Sequence, residues 1–234
     1  MTTKRSAGGA AFLVGAGILL SRVSGLIRQK VFAYYFGASA AADAFNAAFR
    51  IPNLLQNLFG EGVLSASFIP EYSRLLSKED QREADRLAGA VLAALALAAS
   101  VIVLIGVLLA PALVGAIAPG FSGDKRELTV QLTRIFFPAA GLLVFSAWCL
   151  GILNSHRQFF ISYTAPVLWN LAMIVAMLWF GRGASQARLA EILAWAAVAG
   201  SAMQFGVQVP FVLRFAKSVR PQLSLATDSA RAVV

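Results

Sequence analysis

Four stretches of this sequence carry no charged residue over a length that could cross a lipid bilayer. They are Leu87–Pro119, Ile135–Ser155, Phe159–Phe180 and Ile192–Leu213. The hydrocarbon layer is about 30 Å thick, and a helix needs about 20 apolar residues to cross it. Charged residues make up 13% of the chain, whereas a soluble domain carries about 25%. The sequence therefore predicts an all-α, polytopic membrane helix bundle.

Six membrane spans are predicted when the apolar runs are extended to their polar boundaries. They cover Gly9–Phe36, Ala41–Leu76, Leu87–Ile117, Leu128–Leu153, Phe159–Phe180 and Leu189–Ala216. Between the second and third spans, Ser77–Arg86 is so highly charged that we expect a solvated loop. Residues 1–220 then form one six-helix membrane lobe, and residues 221–234 form a linker and the start of a truncated seventh helix.

The basic residues between the spans predict the orientation of the chain. Lys and Arg collect in cytoplasmic loops, and here they are more numerous on the side that holds both ends of the six-span lobe. We therefore expect both ends, including the N-terminus, in the cytoplasm. The formal net charge of +9 could suggest a nucleic-acid partner. The basic residues lie at the predicted membrane boundaries, which indicates instead that they determine topology. No nucleic-acid partner is therefore expected.

Nothing in the sequence predicts catalysis, a cofactor or a metal site. Cys149 is the single cysteine and lies inside an apolar run, where we expect a packed core residue. His156 is the single histidine, and its place in a short turn suggests a solvated loop residue. The phosphate-binding pattern G-x-x-x-x-G-K-[ST] is absent from the sequence. We expect a protein that is not an enzyme and that binds neither cofactor nor metal.

The second predicted span carries a stripe of polar residues on an otherwise apolar helix. At about 100° per residue, five of them fall within roughly 60° of one line, with a sixth, Asn53, at its edge. The five are Asp43, Asn46, Arg50, Asn57 and Glu61. In a membrane bundle such a stripe is expected to face a cavity, because ionisable residues within membrane spans usually mark functional sites.

The first predicted span contains two deeply placed arginines, Arg22 and Arg28. Ser21, Ser24 and Gly25 share one helix face with Arg28. An arginine left in lipid costs about 2.5–3.5 kcal/mol even on the scale derived from insertion experiments. Both arginines must therefore be paired with acids or bathed in water.

Two interpretations of these charges remain open. Arg22, Arg28 and Arg50 could form a structural salt-bridge network with Asp43 and Glu61. Alternatively, they line an anion-receiving cavity in which positive charge is in excess. Arginine presents a planar fork of donors that suits phosphate oxygens, so a phosphate or diphosphate headgroup would fit such a cavity. Asn53 and Asn57 would then contact sugar hydroxyls or water.

Eight motifs follow one another along the chain: residues 21–28, 36–38, 42–45, 50–55, 61–62, 67–70 and 118–121, and Ala165-Pro166 followed by Asn170. Together they resemble the MurJ/MviN lipid II flippases. The resemblance implies the multidrug/oligosaccharidyl-lipid/polysaccharide exporter superfamily, with two six-helix lobes and alternating access. It also implies that this chain is the N-terminal lobe, that its partners are lipid II, membrane lipid and a missing C-terminal lobe, and that it resides in the bacterial cytoplasmic (inner) membrane.

The resemblance also carries expectations for single residues. Arg22 and Arg28, with Ser21 beside them, match the substrate-binding arginine region of the family's first helix. Asp43 and Glu61 match its functional acidic positions and are expected to form a gating charge network. Where the family's motif continues with a basic residue, this chain has Gln56.

Two other functions compete with lipid II transport. One is a flippase or exporter of another substrate in the same superfamily, although a cation-coupled drug exporter should need a cavity dominated by carboxylates. The other is a membrane scaffold that transports nothing, in which the polar stripe only holds helices together.

Overall fold

The computed structural model describes residues 3–220, apart from the side chains of residues 3–11, 13, 51–52, 55–56 and 59–63. The predicted linker and seventh helix at 221–234 lie outside the described residues. The described chain is helical. Its helices are α1 (Thr3–Phe36), α2 (Ala40–Asn57), α3 (Ile69–Ser77), α4 (Gln81–Leu108), α5 (Ala110–Ile117), α6 (Gly123–Ser155), α7 (Phe159–Phe180) and α8 (Gln186–Phe215).

Four of these helices, α4, α6, α7 and α8, are long and apolar enough to cross a membrane. They account for four of the six predicted spans. The first two predicted spans, α1 and the rod that begins with α2, are not among these four within the described residues. Their role as membrane spans stays a prediction.

The second predicted span is one continuous helical rod. Between α2 and α3 the backbone adopts a π-helix over Leu58–Phe68, and the residues at both junctions keep right-handed helical angles. Pro70 lies inside this rod, just after the change from π-helix to α-helix, and has no N–H to donate to the preceding turn. The rod therefore joins α2 to the charged turn that precedes α4.

Two boundary predictions were wrong. The third predicted span breaks at Leu109, because Pro111 lies in the first turn of α5 and proline cannot continue the hydrogen bonding of α4. The expected solvated loop Ser77–Arg86 is mostly helix, since α4 begins at Gln81. Asp80 caps that helix, accepting a 3.1 Å hydrogen bond from the backbone N–H of Glu83.

The long helix α6 lies at the centre of the bundle and packs against α2, α4 and α8. Close approach to α4 depends on Gly106, where an added Cβ would lie 2.1 Å from the Phe137 ring. Helix α7 packs against both α8 and α1.

Helices α1 and α7 run parallel and in register along much of their length. A Cβ added at Gly17 would lie 2.9 Å from Tyr163 Cβ, and one at Gly181 would lie 2.4 Å from the Tyr35 ring. Between these two contacts, Ser24 and Arg28 of α1 form hydrogen bonds with Asn170 of α7. This register places the middle of α7 directly against the arginine-bearing half of α1.

Candidate functional site

The polar stripe of α2 is exposed along the whole described part of that helix. Its described members Asp43, Asn46, Arg50, Asn53 and Asn57 are all exposed. The opposite face is buried and consists of small or aromatic residues: Ala41, Ala42, Ala44, Phe45, Ala47 and Ala48. The side chain of Glu61, the remaining predicted member, lies outside the described residues.

Aromatic contacts on the buried face fix the rotation of α2. Phe45 meets Phe136 of α6 edge to face, with ring centroids 5.1 Å apart, and Phe32 of α1 also lies 5.1 Å away. The neighbouring alanines let the α2 backbone approach α6 closely. Because this face is held by packing, the polar stripe must point away from the bundle.

Arg28 of α1 is half-buried and contacts two residues of α7. Its Nε donates a 3.0 Å hydrogen bond to Asn170 Oδ1. Its guanidinium carbon lies 5.1 Å from the centroid of the Trp169 ring, which is within reach of a cation–π interaction. Arg28 is thus held at the α1–α7 interface.

The polar contacts of α1 continue beyond Asn170. Asn170 Nδ2 donates a 3.0 Å hydrogen bond to Ser24 Oγ, which in turn donates to the backbone carbonyl of Ser21 at 2.8 Å. Ser24 and Asn170 are both buried. The predicted site residue Ser21 therefore enters this network through its backbone.

Trp169 joins the arginine region of α1 to the polar stripe of α2. Its ring stacks on Phe49 of α2, with centroids 5.8 Å apart and an interplanar angle of 25°. Phe49, Asn53 and Trp169 line one small cleft with residues of α6 and α8. Arg28 and Asn53 are therefore both neighbours of Trp169, although they lie on different helices.

The three predicted arginines form no ion pair with any residue whose side chain the structure describes. Arg22 and Arg50 are exposed, and Arg28 has the neutral Asn170 as its hydrogen-bond partner. Among the described side chains, no carboxylate therefore offsets the positive charge of these three arginines.

Asp43 pairs with a lysine that the sequence analysis did not select as a site residue. Lys125 Nζ lies 2.6 Å from Asp43 Oδ2 and 4.0 Å from the centroid of the Phe121 ring. The pair joins the start of α2 to the start of α6. In this structure Asp43 is therefore neutralised by Lys125.

Sequence reasoning missed Trp169, Asn170 and Lys125 as candidate site residues. A signal for Asn170 was present, because it is an amide in the middle of the uncharged run Phe159–Phe180. A polar group buried at that depth needs a partner. Trp169 carried no comparable signal, since an aromatic residue in an apolar span is ordinary.

No group of three or more His, Cys, Asp and Glu side chains in the described part of the chain could hold a metal ion. The candidate site residues that the structure describes are arginines, amides, aromatic rings and the Asp43–Lys125 ion pair. Such groups can bind an anion by charge-assisted hydrogen bonds and can stack on a planar or apolar surface.

Comparisons with known proteins show what the chain is similar to. The family model for the lipid II flippase MurJ matches residues 32–234. The lipid II flippase MurJ of Burkholderia cenocepacia is 38% identical over 194 residues, which cover 82% of this chain and 37% of that protein. A MurJ relative from Vibrio cholerae is 33% identical over 219 residues, covering 90% of this chain and 41% of its own length.

Two solved structures share the fold. One is the lipid II flippase MurJ in an inward closed conformation, with a TM-score of 0.68 and 22% identity over 89% of this chain and 46% of that one. The other is a MOP superfamily transporter from Pyrococcus furiosus, with a TM-score of 0.68 and 18% identity over 96% of this chain and 50% of that one.

The chain spans about two fifths of the length of the curated relatives it matches. The family model covers well over half of the chain itself. With its apolar helices, the chain is a multi-pass membrane protein, and it belongs to the MurJ lipid II flippase family.

Proposed function

We propose that this chain is the N-terminal lobe of a lipid II flippase. It moves the undecaprenyl-diphosphate-linked peptidoglycan precursor across the bacterial cytoplasmic membrane by alternating access, with its N-terminus in the cytoplasm. The observation that carries the proposal is the set of three arginines, Arg22, Arg28 and Arg50, that have no carboxylate partner among the described residues.

The diphosphate of the substrate supplies negatively charged oxygen atoms to these arginines, which have no carboxylate partner among the described residues. Each guanidinium can donate two parallel hydrogen bonds to phosphate oxygens, and such charge-assisted bonds are roughly twice as strong as neutral ones. Arg28 is held in place by α7, while Arg22 and Arg50 are exposed and free to move onto the ligand. The diphosphate therefore binds first at Arg28 and is then enclosed by the other two.

The polar residues of α2 bind the rest of the headgroup. Asn53 and Asn57 lie on the same exposed stripe as Arg50 and offer amide donors and acceptors to sugar hydroxyls or to water. Because Lys125 neutralises Asp43, that carboxylate does not compete with the diphosphate for the arginines. Glu61 completes the charge network in this proposal.

Transport needs a second lobe on the other side of the cavity. Rocking of the two lobes exposes the headgroup to the outside while the lipid tail stays in the bilayer. We assign no catalytic step to the chain. The energy comes from the substrate gradient, a coupled ion or the membrane potential, which contributes about 2.3 kcal/mol per charge per 100 mV.

The test replaces Arg28 by alanine in the complete gene product, in cells that depend on this protein for growth. We expect Arg28→Ala to abolish growth while the protein still inserts into the membrane in normal amount. Arg188→Ala is the matched control, because Arg188 is exposed and pairs with Glu191 within α8. Growth supported equally by Arg28→Ala and by the unmodified protein would contradict the proposal.

A further inference from the structure

We propose that Asn170 is a positioning residue that orients the Arg28 guanidinium for end-on binding of a diphosphate. The inference rests on the proposed function and extends it to α7, outside the arginines and the α2 stripe. Three features of the structure support it. Asn170 accepts a hydrogen bond from Arg28 Nε, the Arg28 guanidinium lies over the Trp169 ring, and the Asn170 amide is fixed in one orientation.

Asn170 accepts its hydrogen bond from Arg28 Nε. A guanidinium has five N–H donors, one on Nε and four on the two terminal nitrogens. With Nε engaged, the side-on approach that uses Nε together with one terminal nitrogen is closed to a ligand. The two terminal nitrogens remain, and within the described residues they have no carboxylate partner. They form an end-on fork whose spacing fits two phosphate oxygens.

Trp169 restricts the guanidinium in a second direction. The Arg28 Cζ lies 5.1 Å from the centroid of the Trp169 ring, and that ring is itself held by stacking on Phe49. A hydrogen bond at Nε and an aromatic ring together limit both the direction and the position of the charged group. A flexible arginine side chain is thereby fixed before the ligand arrives.

The Asn170 amide can satisfy its neighbours in one orientation. Arg28 has donors and no acceptor, so the atom facing it must be the amide oxygen. The hydrogen of Ser24 Oγ is already directed to the carbonyl of Ser21, so Ser24 must accept from the amide nitrogen. Since Asn170 and Ser24 are buried, water does not replace these partners. The network therefore determines where Arg28 points.

Prior ordering of a side chain lowers the entropic cost of binding. Removing Asn170 would free the Arg28 side chain and leave its Nε without a partner at a buried interface. The arginine would keep its charge, but its guanidinium would no longer be held in one orientation. Binding of the diphosphate should weaken, and the weakening should depend on the presence of Arg28.

The test measures binding of a labelled undecaprenyl-diphosphate lipid to the complete gene product in nanodiscs, with inorganic pyrophosphate as competitor. Asn170→Leu, which keeps the volume and removes the acceptor, should weaken binding about tenfold. In the Arg28→Ala background the same change should have no further effect. Unchanged affinity in Asn170→Leu, or equal weakening in both backgrounds, would overturn the positioning role.

A second variant guards against a folding defect. Asn170→Asp keeps an acceptor for Arg28 Nε and adds a negative charge beside the fork. It loses the donor that faces Ser24 Oγ, but the Ser24 hydroxyl can turn from the Ser21 carbonyl and donate to the carboxylate. If Asn170 only stabilises the fold, Asn170→Asp should have a higher unfolding temperature and a higher affinity for the lipid than Asn170→Leu. The positioning role predicts a nearly unchanged unfolding temperature with affinity reduced at least as much as in Asn170→Leu, because the carboxylate opposes the diphosphate. Affinity equal to that of the unmodified protein would overturn it.

The two hypotheses fail in different ways. If Arg28→Ala itself binds the lipid with full affinity, the proposed function fails and the assignment of Asn170 with it. If Arg28→Ala binds weakly while both Asn170 variants bind normally, the proposed function stands and the positioning role alone is wrong.

Discussion

The buried carboxylate of Asp85 accepts a 2.9 Å hydrogen bond from the backbone amide of Ser218. Its other oxygen accepts from Gln81 Nε2 at 2.8 Å, and the residue is 3% exposed. The contact ties the first turns of α4 to the chain that leaves α8. Gly89, one turn further along α4, lies so close to this segment that an added Cβ would be 2.1 Å from the carbonyl oxygen of Arg220.

Asp85→Asn should destabilise the protein. Both carboxylate oxygens of Asp85 accept hydrogen bonds from donors, and an asparagine offers one oxygen to two donors. The NH₂ group of the asparagine is buried and faces a donor instead of an acceptor, which costs about 1–3 kcal/mol. Thermal unfolding in detergent should show the loss. Asp124→Asn, at an exposed acid in the first turn of α6, should change stability by less than about 0.5 kcal/mol. Equal stability of the two variants would contradict the role of Asp85.

Gly89→Ala should displace the chain segment that follows α8. The methyl group would meet backbone atoms of Arg220, which cannot move away as a flexible side chain could. We expect a lower unfolding temperature and increased proteolysis after Ala216. Gly115→Ala is the matched control, because a Cβ at Gly115 meets nothing within 4 Å and alanine favours helix by about 1 kcal/mol. A Gly89→Ala protein as stable as the control would show that the segment does not pack here.

His156 should make the protein less stable at mildly acidic pH. Its ring stacks on Phe215, and its Nε2 lies 3.2 Å from Tyr72 Oη. Burial lowers the pKa of His156, although nearby Asp85 opposes the shift. The unfolded chain, with a histidine pKa of about 6.5, then binds protons more readily than the folded protein. Stability therefore falls as the pH drops through about 6.5 towards the lower pKa of the folded state.

The measurement compares unfolding temperatures of the unmodified protein and of His156→Gln between about pH 7.5 and 5. The other titratable groups are common to both proteins, so the difference between the two curves reports His156 together with its interaction with Asp85. The unmodified protein should lose more stability on acidification than the variant. Parallel curves would show that His156 titrates as it does in the unfolded chain.

The ion pair between Lys125 and Asp43 should contribute little to stability. The Asp43 side chain is 61% exposed, and pairs of this kind are worth about 0.2–1 kcal/mol. Lys125→Met and Asp43→Asn should each lower stability by less than about 1 kcal/mol, and the double variant should lose less than the sum. The coupling should shrink in high salt. Strictly additive losses would show that the pair does not form.

Much of the fold could be predicted because membrane spans are encoded in simple apolar runs. The four helices that qualify as spans correspond to predicted spans, and the exposed stripe of α2 follows from helical periodicity. The break at Leu109 was missed because a proline inside a long apolar run does not by itself show where the helix ends. The buried position of Asp85 was missed because its partner Ser218 is distant in sequence.

The candidate site could be predicted in part, because some of its residues give a local signal in the sequence. Arg22, Arg28 and Arg50 are visible as charges in apolar helices, which is a local signal. Trp169 and Lys125 become site residues through contacts between helices, with Arg28 and with Asp43, and no local pattern encodes such pairings. His156 was expected to be solvated, but Tyr72 and Phe215 converge on it from separate helices.

The claim that these arginines hold a diphosphate is tested most directly by measuring how tightly the labelled diphosphate lipid binds the complete gene product. The three variants to compare with the unmodified protein are Arg22→Ala, Arg28→Ala and Arg50→Ala, each made singly. The account predicts that free pyrophosphate competes with the lipid for the unmodified protein. It also predicts that each alanine variant binds at least about tenfold more weakly, since each loses charge-assisted hydrogen bonds to phosphate. Undiminished affinity in Arg28→Ala, or binding that pyrophosphate does not displace, would contradict the claim that these arginines hold a diphosphate.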